Sequence, residues 1–243
     1  MGKRGIALAA VALASAGVSD AKIKYDKQFA FPPGSSPRII VFRPDVRIGS
    51  MGVGGVDEPN PDWTRDGRAN LAAELESAQR ATGNQVVFLP DQEGASAQLV
   101  ADYQALFCTV AGAVVQHQMN PLAKLPTKKD RFEWTLGPGA AQLQKLGGDY
   151  GLFLYTHDAY GSAARKVMQV LVAGLFGAAM PAGIHVGYAA LVDLKTGNLV
   201  WFNVDPASGG DPRDRQGAAK RIGELFKKFP TSGKPAPATT AAK

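Results

Sequence analysis

The chain has 243 residues, of which 45% are hydrophobic and 20% are charged, and its formal net charge at pH 7 is +6. This composition is that of a globular protein with a full hydrophobic core, and it excludes a disordered or repetitive chain. The single cysteine, Cys108, excludes an internal disulfide, so the fold has to depend on packing. Cys108 lies in an apolar helical pattern, which predicts a small buried side chain rather than a reactive nucleophile.

The first 21 residues have the layout of a secretory signal peptide. Lys3 and Arg4 precede a short apolar run over residues 5–16, and small residues that suit cleavage follow at 14–16 and 19–21. Cleavage predicts a periplasmic or secreted protein, which could lie at the periphery of the outer membrane. Removing two basic residues and one acidic residue lowers the net charge from +6 to +5. The remaining charge favours anionic lipid or cell-wall polymer and, for an exported chain, argues against nucleic acid as a partner.

The first half of the mature chain predicts two strand-and-helix units. Residues 22–37 are expected to form an extended segment before the domain over residues 38–230. Short β-branched runs at 38–42 and 85–89 predict buried strands, each closed by a proline and an aspartate. Residues 46–60 are expected to form a glycine-rich loop. Helical spacing then predicts helices over 65–81 and 96–118.

The second half predicts a short helix over 139–146, a strand over 150–155, an apolar helix over 162–180 and a last helix over 212–229, which Asp211 could cap. Residues 231–243 are expected to be a disordered tail. Strands separated by helices favour parallel pairing, and a hairpin adds antiparallel pairing. The predicted fold class is therefore α/β: a single domain with a mixed β-sheet flanked by helices, a C-terminal antiparallel hairpin and a final helix.

The hairpin over residues 184–204 is the clearest local pattern. Alternating apolar residues form two strands around a short turn, in which Gly197 can adopt the positive φ that the turn needs. Trp201 is expected to pack in the core.

Three aspartates follow predicted strands, and a histidine precedes one of them. Ligands gather at the carboxyl ends of strands in open α/β sheets, so Asp45, Asp91, His157 and Asp158 could hold a divalent cation. Aspartates are also common in turns and helix caps. The spacing matches no metal motif, so the preferred interpretation assigns no metal, no cofactor and no catalytic residue.

Three further segments are candidates for contact with other molecules. Residues 49–55 form a glycine-rich run without a phosphate-binding signature, which suggests a partner-contact loop. Residues 167–192 contain no Asp, Glu, Lys or Arg, and Gly174 and Gly177 would allow close approach of another backbone. The helix in this stretch could be buried, covered by another subunit or inserted in a membrane. The last helix is rich in basic residues, which predicts a solvated face or contact with an anionic lipid or polymer.

Two stretches resemble the CsgG, TolB N-terminal and LpoB group of bacterial envelope accessory proteins. They are LGPGAAQLQKLGGDYGLFLY at 136–155 and ALVDLKTGNLVWFN at 190–203. The positions that carry the resemblance are Gly148, Asp149, Tyr150, Asp193, Thr196, Gly197 and Trp201.

The resemblance implies a non-enzymatic periplasmic protein that assembles with secretion, transport or cell-wall machinery through protein contacts, and the chain could form a homo-oligomer. The sequence leaves two alternatives: an exported metal-dependent hydrolase that uses the acidic strand ends, and a module that binds cell wall or polysaccharide.

Overall fold

A computed structural model of the chain describes residues 22–25, 29–32, 35–80, 82, 84–128, 131–176, 183–205 and 209–231. The predicted signal peptide lies outside these residues, as do Gly177 and nearly all of the predicted tail.

Eight strands form one mixed sheet. They are β1 (Lys22–Tyr25), β2 (Arg38–Val41), β3 (Asp45–Met51), β4 (Asp57–Pro59), β5 (Gln85–Phe88), β6 (Tyr150–Gly161), β7 (Ile184–Asp193) and β8 (Leu199–Asp205). The order is β1-β8-β7-β6-β2-β5, and β3 joins the second half of β6 and carries β4.

Pairing in the sheet follows the chain connections. Strand β2 pairs in parallel with β5 and with β6, and β3 pairs in parallel with β6. Strand β4 returns antiparallel to β3. The neighbouring pairs β6 and β7, β7 and β8, and β8 and β1 are antiparallel. The predicted α/β fold class, with its mixed sheet and terminal hairpin, is confirmed. The first residues of the predicted extended segment, Lys22–Tyr25, form the edge strand β1.

In the described residues, three of the four α-helices and one 3₁₀ helix cover the sheet. The α-helices are α1 (Pro61–Arg80), α2 (Gly94–Val114), α3 (Ala163–Phe176) and α4 (Arg215–Leu225), and the 3₁₀ helix is Pro138–Leu146. A π-helix (Val115–Met119) and a second 3₁₀ helix (Pro121–Ala123) follow α2. Helices α1 and α4 pack on one face of the sheet, and α2 and the 3₁₀ helix pack on the other. Each face therefore has its own hydrophobic core, and α3 belongs to neither.

The predicted glycine-rich loop over 46–60 is wrong, because most of it is the β3–β4 hairpin. Val46, Ile48 and Met51 are buried, and Arg47 between them is exposed. Gly49 is a strand residue here for a steric reason: a Cβ at this position would lie 2.4 Å from the carbonyl oxygen of Glu58. Glycine therefore allows β4 to approach closely, and only the turn between the two strands is a loop.

Strand β6 extends six residues beyond its predicted end at Tyr155. Its second half pairs with β3 on one side and β7 on the other, in a register that places Asp158 opposite His185. Polar residues in this half break the apolar alternation, so the pattern predicted a strand end. The strand continues because the polar side chains that face the α1/α4 side find polar partners there.

The hairpin turn between β7 and β8 is built on Gly197, which has a φ of 77°. Its amide donates to the carbonyl of Asp193 at 2.7 Å, and the amide of Asn198 donates to the hydroxyl oxygen of Thr196 at 3.2 Å. Trp201 is buried in the core beneath α4, beside Phe226 and Phe229. Gly197 and Trp201 are therefore structural residues of the hairpin and the core, and Thr196 is exposed at the turn.

Candidate functional site

Helix α3 turns its apolar side chains outward. Arg165 is buried, and Gln169 and Val172 are half-buried, so these residues mark the side of the helix that faces the body. The opposite side, named here the apolar face, has large apolar side chains between 37% and 73% exposed: Val167, Met168, Val170, Leu171 and Leu175. Surface helices normally show the reverse arrangement. The predicted alternative of a buried core helix is therefore wrong for the described part of this segment.

Arg165 fixes the start of α3 to the β3–β4 turn. Its Nη1 donates to the carbonyl oxygens of Gly52 and Val53 at 3.0 and 3.4 Å, and its backbone amide donates to Ser162 Oγ at 3.2 Å. Burial of an arginine is tolerated because carbonyl oxygens accept its protons. The anchor ties the start of α3 to the backbone of the β3–β4 turn, which carries the exposed side chains of Val53 and Val56.

These features together form one end of the molecule. The apolar end is defined as the apolar face of α3 together with Val53, Val56 and Ile184, all of which are exposed. A concentration of large exposed apolar side chains on one part of a monomer marks an interaction site. The predicted partner-contact loop at 49–55 thus contributes only its turn to this surface.

A buried charge cluster lies beneath the apolar end, on the α1/α4 face of the sheet. Arg221 Nη2 donates to Asp158 Oδ1 at 2.9 Å, and its Nη1 contacts the other oxygen of the same carboxylate. Thr156 Oγ1 donates to Asp158 at 3.0 Å, and His185 Nδ1 lies 2.8 Å from Asp158 Oδ1. Arg221 also donates to the carbonyl of Gly210 at 2.7 Å. The cluster joins β6, β7 and α4.

The environment of Asp158 keeps its carboxylate ionised. Burial by itself would raise the pKa of Asp158, but hydrogen bonds from His185 and Arg221 outweigh burial and hold the pKa below its ordinary value. A carboxyl group whose folded pKa is lowered contributes stability that is complete above its unfolded pKa. That contribution is lost as the pH falls through the folded pKa, so the cluster favours the folded state at neutral pH and weakens in strong acid.

Next to this cluster, an arginine packs against two aromatic rings and binds an aspartate. Tyr160 donates its hydroxyl proton to Asp211 at 2.7 Å, and Arg213 binds the same carboxylate through two nitrogens. The guanidinium of Arg213 lies 3.7 Å from the ring centre of Tyr160 and 4.5 Å from that of Trp63. Burial opposes ionisation of Asp211, but the hydrogen bonds from Arg213 and Tyr160 lower its pKa to about 2.

These contacts correct the prediction for the last helix. The carboxylate of Asp211 accepts hydrogen bonds from Tyr160 and Arg213, so it does not cap α4. The capping residue is Asp214, whose side chain accepts a hydrogen bond from the amide of Gly217 at 2.7 Å. Arg221 is buried, and Arg213 and Arg215 pair with Asp211 and Glu74. The basic residues of this segment therefore do not form one free cationic face.

The four residues of the metal hypothesis have separate partners. Asp45 accepts from Cys108 Sγ at 3.6 Å, and Asp91 pairs with Arg43 at 3.0 Å on the surface. His157 Nε2 lies 2.7 Å from Asp57, whereas Asp158 belongs to the buried cluster. Successive strand residues point to opposite faces, which separates His157 from its neighbour Asp158. Among the residues that the structure describes, no three histidine, cysteine, aspartate or glutamate side chains come together as a metal site.

Cys108 on α2 is half-buried against the sheet. Burial, followed by the nearby negative charge of Asp45, raises the pKa of its thiol to about 12. The thiolate, which is the reactive form, is therefore scarce at neutral pH.

One helix in the described ranges is long and apolar enough, judged only by length and composition, to cross a membrane. It spans Gly94–Gln118 and includes α2. Phe107, Ala111 and Val114 on this helix are buried in the core on one side of the sheet.

The sequence patterns missed the buried partners of this region. Arg221 occupies a core position by helical spacing, three residues after Ala218 and four before Leu225, both of which are buried. That position, together with polar residues at alternate sites of β6, was the available signal. Arg165 gave no comparable signal, because backbone carbonyls such as those of Gly52 and Val53, which accept its hydrogen bonds, cannot be identified from side-chain patterns.

Comparison with known proteins gives distant structural similarities. A PelC dodecamer from Paraburkholderia phytofirmans is 12% identical with a TM-score of 0.34, covering 85% of this chain and 94% of that one. A single-residue variant of the same protein gives 10% identity, a TM-score of 0.33, and coverage of 85% and 95%. A lipoprotein from Neisseria meningitidis is 16% identical with a TM-score of 0.27, covering 69% of this chain and 77% of that one. TM-scores this low assign neither a family nor a function.

No family model and no curated protein matches the chain. The resemblance to the CsgG, TolB N-terminal and LpoB group therefore stays a prediction.

Proposed function

We propose that the protein is a non-enzymatic accessory protein of the cell envelope that works through contacts with secretion, transport or cell-wall machinery, and that the apolar end is its docking surface. The observation that carries this proposal is the outward apolar face of α3. The predicted signal peptide supports an envelope location. No catalytic residue or cofactor is part of the proposal.

The energetics of α3 support a role in assembly. Fully burying one large aliphatic side chain is worth about 1.5–3 kcal/mol relative to leaving it in water. Helix α3 leaves five such side chains largely exposed while its arginine is buried. Covering the apolar face would therefore stabilise a complex by several kcal/mol, which an isolated molecule forgoes.

The acidic and histidine side chains that could take part in catalysis already have partners within the fold. Asp158 and His185 hold the buried cluster together, and His157 pairs with Asp57. These side chains are used in contacts that hold elements of the fold together, which supports a contact role over hydrolysis.

The proposed partners are envelope proteins or a second copy of this chain. Gly174 lies on the outward side of α3, and a Cβ built there meets no atom within 4 Å. A neighbouring backbone could therefore approach the helix closely at this point.

Photo-crosslinking in cells tests the proposal. A photoreactive residue replacing Val56 or Leu175 is expected to give a discrete adduct with an envelope protein or with a second copy, because both positions belong to the apolar end. The matched control replaces Lys195, which is exposed at the turn at the opposite end of β7. If neither position of the apolar end yields an adduct beyond that at Lys195, the proposal is wrong.

A further inference from the structure

We infer that a second copy of this chain covers the apolar face of α3, through an antiparallel pair of α3 helices related by a two-fold axis. The inference rests on the proposed function, because it takes the apolar end to be the docking surface and names the partner that meets α3 there. The shape and the charges of α3 both fit a second copy of the same helix.

The apolar face of α3 carries a recess at Gly174 and a projecting side chain at Val167. A Cβ built at Gly174 meets no atom within 4 Å, and the side chain of Val167 is 61% exposed. The two residues are seven positions apart, so they lie about 20° apart around the helix and about 10 Å apart along it. The recess and the projection therefore lie on one line along the surface of α3.

Val170 and Leu171 lie at the middle of this line, one on each side of it, and they are 73% and 50% exposed. A two-fold axis that passes between them relates two antiparallel helices. Val167 of each copy then faces Gly174 of the other, because both residues lie equally far from the axis. Each projecting side chain enters the recess of the other helix, as knobs enter holes between packed helices. Such an isologous contact is self-complementary.

The charged residues of α3 favour the antiparallel arrangement. Arg165 is buried and Lys166 is exposed, and both lie at the start of the helix. In an antiparallel pair, Lys166 of each copy lies beside the C-terminal end of the other helix, where the last carbonyl groups attract a cation. A parallel pair would instead bring the two lysines together, which costs binding energy.

The edge of the apolar end carries charges of both signs. Lys166 is exposed on α3, and Asp57 and Glu58 are exposed on β4. Protein interfaces combine an apolar centre with a polar rim of this kind. A rim with both signs is compatible with a copy of itself, because each charge can meet one of the opposite sign.

The size of the contact predicts a weak dimer. Helix α3 has 14 residues and is about 21 Å long. Stable interfaces bury about 1,200–2,000 Å² in total, and a single pair of helices of this length lies at the small end of that scale. We therefore expect a dissociation constant in the micromolar range. The purified protein is then monomeric, with an open α3, when it is dilute.

Sedimentation of the purified protein over a range of concentrations tests the inference. The wild-type protein is expected to change from monomer to dimer in the micromolar range. Gly174→Val fills the recess without touching the rest of its own chain, and it is expected to weaken dimerisation at least about tenfold, although it adds apolar surface. Leu122→Gln is the matched control, because Leu122 is 97% exposed but lies outside the apolar end, and its dimerisation is expected to be unchanged.

An exchange of the two residues separates shape from apolar area. A variant with both Val167→Gly and Gly174→Val carries the same side chains at exchanged positions, so each projection again faces a recess across the two-fold axis. We expect Val167→Gly alone to weaken dimerisation about tenfold, and the double variant to recover most of the loss. A double variant that dimerises no better than either single variant would overturn the inference.

Disulfide formation locates the axis. Val170 lies next to its own counterpart across the axis, so Val170→Cys in a Cys108→Ala background is expected to form a disulfide-linked dimer on mild oxidation. Lys195→Cys in the same background is the matched control, because Lys195 is exposed at the turn at the opposite end of β7. Equally ready linkage of the two variants would contradict the two-fold arrangement.

The outcomes separate this inference from the proposed function. A wild-type protein that stays monomeric throughout the micromolar range overturns the inference. If it does so while a photoreactive residue at position 175 crosslinks to a different envelope protein in cells, the face belongs to that partner and the proposed function stands. If adducts are absent from the whole apolar end, the proposed function fails as well.

Discussion

Replacing Asp158 with alanine is expected to lower the free energy of unfolding by about 3–5 kcal/mol. Asp158 and Arg221 are both fully buried, and the carboxylate accepts hydrogen bonds from Arg221 and Thr156 and pairs with His185. The substitution would remove the carboxylate that both terminal nitrogens of the buried Arg221 guanidinium contact. Chemical denaturation of the purified protein measures the loss.

Asp91→Ala is the matched control for this prediction. Asp91 also pairs with an arginine, Arg43, but both side chains are exposed, and such a pair contributes about 0–1 kcal/mol. Adding Arg221→Met to Asp158→Ala should recover part of the loss, because a buried charge that has lost its bond to Asp158 is replaced by an apolar side chain. Equal losses for Asp158→Ala and Asp91→Ala would contradict the assigned role of the buried cluster.

Replacing Gly197 with alanine is expected to cost more than about 2 kcal/mol of stability, through two separate effects. A φ of 77° disfavours any residue with a side chain by roughly 1–2 kcal/mol. In addition, a Cβ at this position would lie 2.0 Å from the carbonyl oxygen of Gly137, which is backbone and cannot rotate away. The hairpin turn or the segment before the 3₁₀ helix has to shift.

Gly174→Ala provides the opposite case with the same chemical change. No atom lies within 4 Å of a Cβ at Gly174, which is in helix α3, so alanine should stabilise the protein by about 0.5–1 kcal/mol. The shift in the denaturation midpoint of each variant measures its change in stability and tests both predictions. A destabilised Gly174→Ala, or a neutral Gly197→Ala, would be inconsistent with the placement of these two glycines.

The parts of the fold that depend on local rules could be predicted from the sequence. The β7–β8 hairpin follows from alternation and from one glycine, and α1 and β5 follow from periodicity and from flanking proline and glycine residues. Parallel pairing around β6 follows from the helices that separate the strands. Each of these features is determined by residues close to one another in the chain.

The features that depend on distant partners could not be predicted in the same way. Asp158 looked like a turn residue because its partner Arg221 is 63 positions away, and Arg221 looked like a surface charge for the same reason. The β3–β4 hairpin was mistaken for a loop because its glycine allows a close approach between strands that composition alone does not reveal.

The sequence indicates which helix forms the candidate site, but it does not predict which way that helix faces. The uncharged stretch after Lys166 marked α3 as a helix with an unusual environment. Its outward orientation is set in part by the buried Arg165, which donates hydrogen bonds to carbonyl oxygens of the β3–β4 turn. Backbone acceptors leave no trace in sequence patterns, so the direction of the apolar face emerged only from the structure.

Protection of α3 from solvent in the cell envelope tests the central claim most directly. A Leu175→Cys variant in a Cys108→Ala background would be treated with a membrane-impermeant maleimide, as purified protein and in isolated envelopes, with Lys195→Cys as the control. We expect Leu175→Cys to react when purified and to be protected in envelopes, while Lys195→Cys reacts in both. Equal labelling of Leu175→Cys in both preparations would contradict the claim that the apolar end is a docking surface.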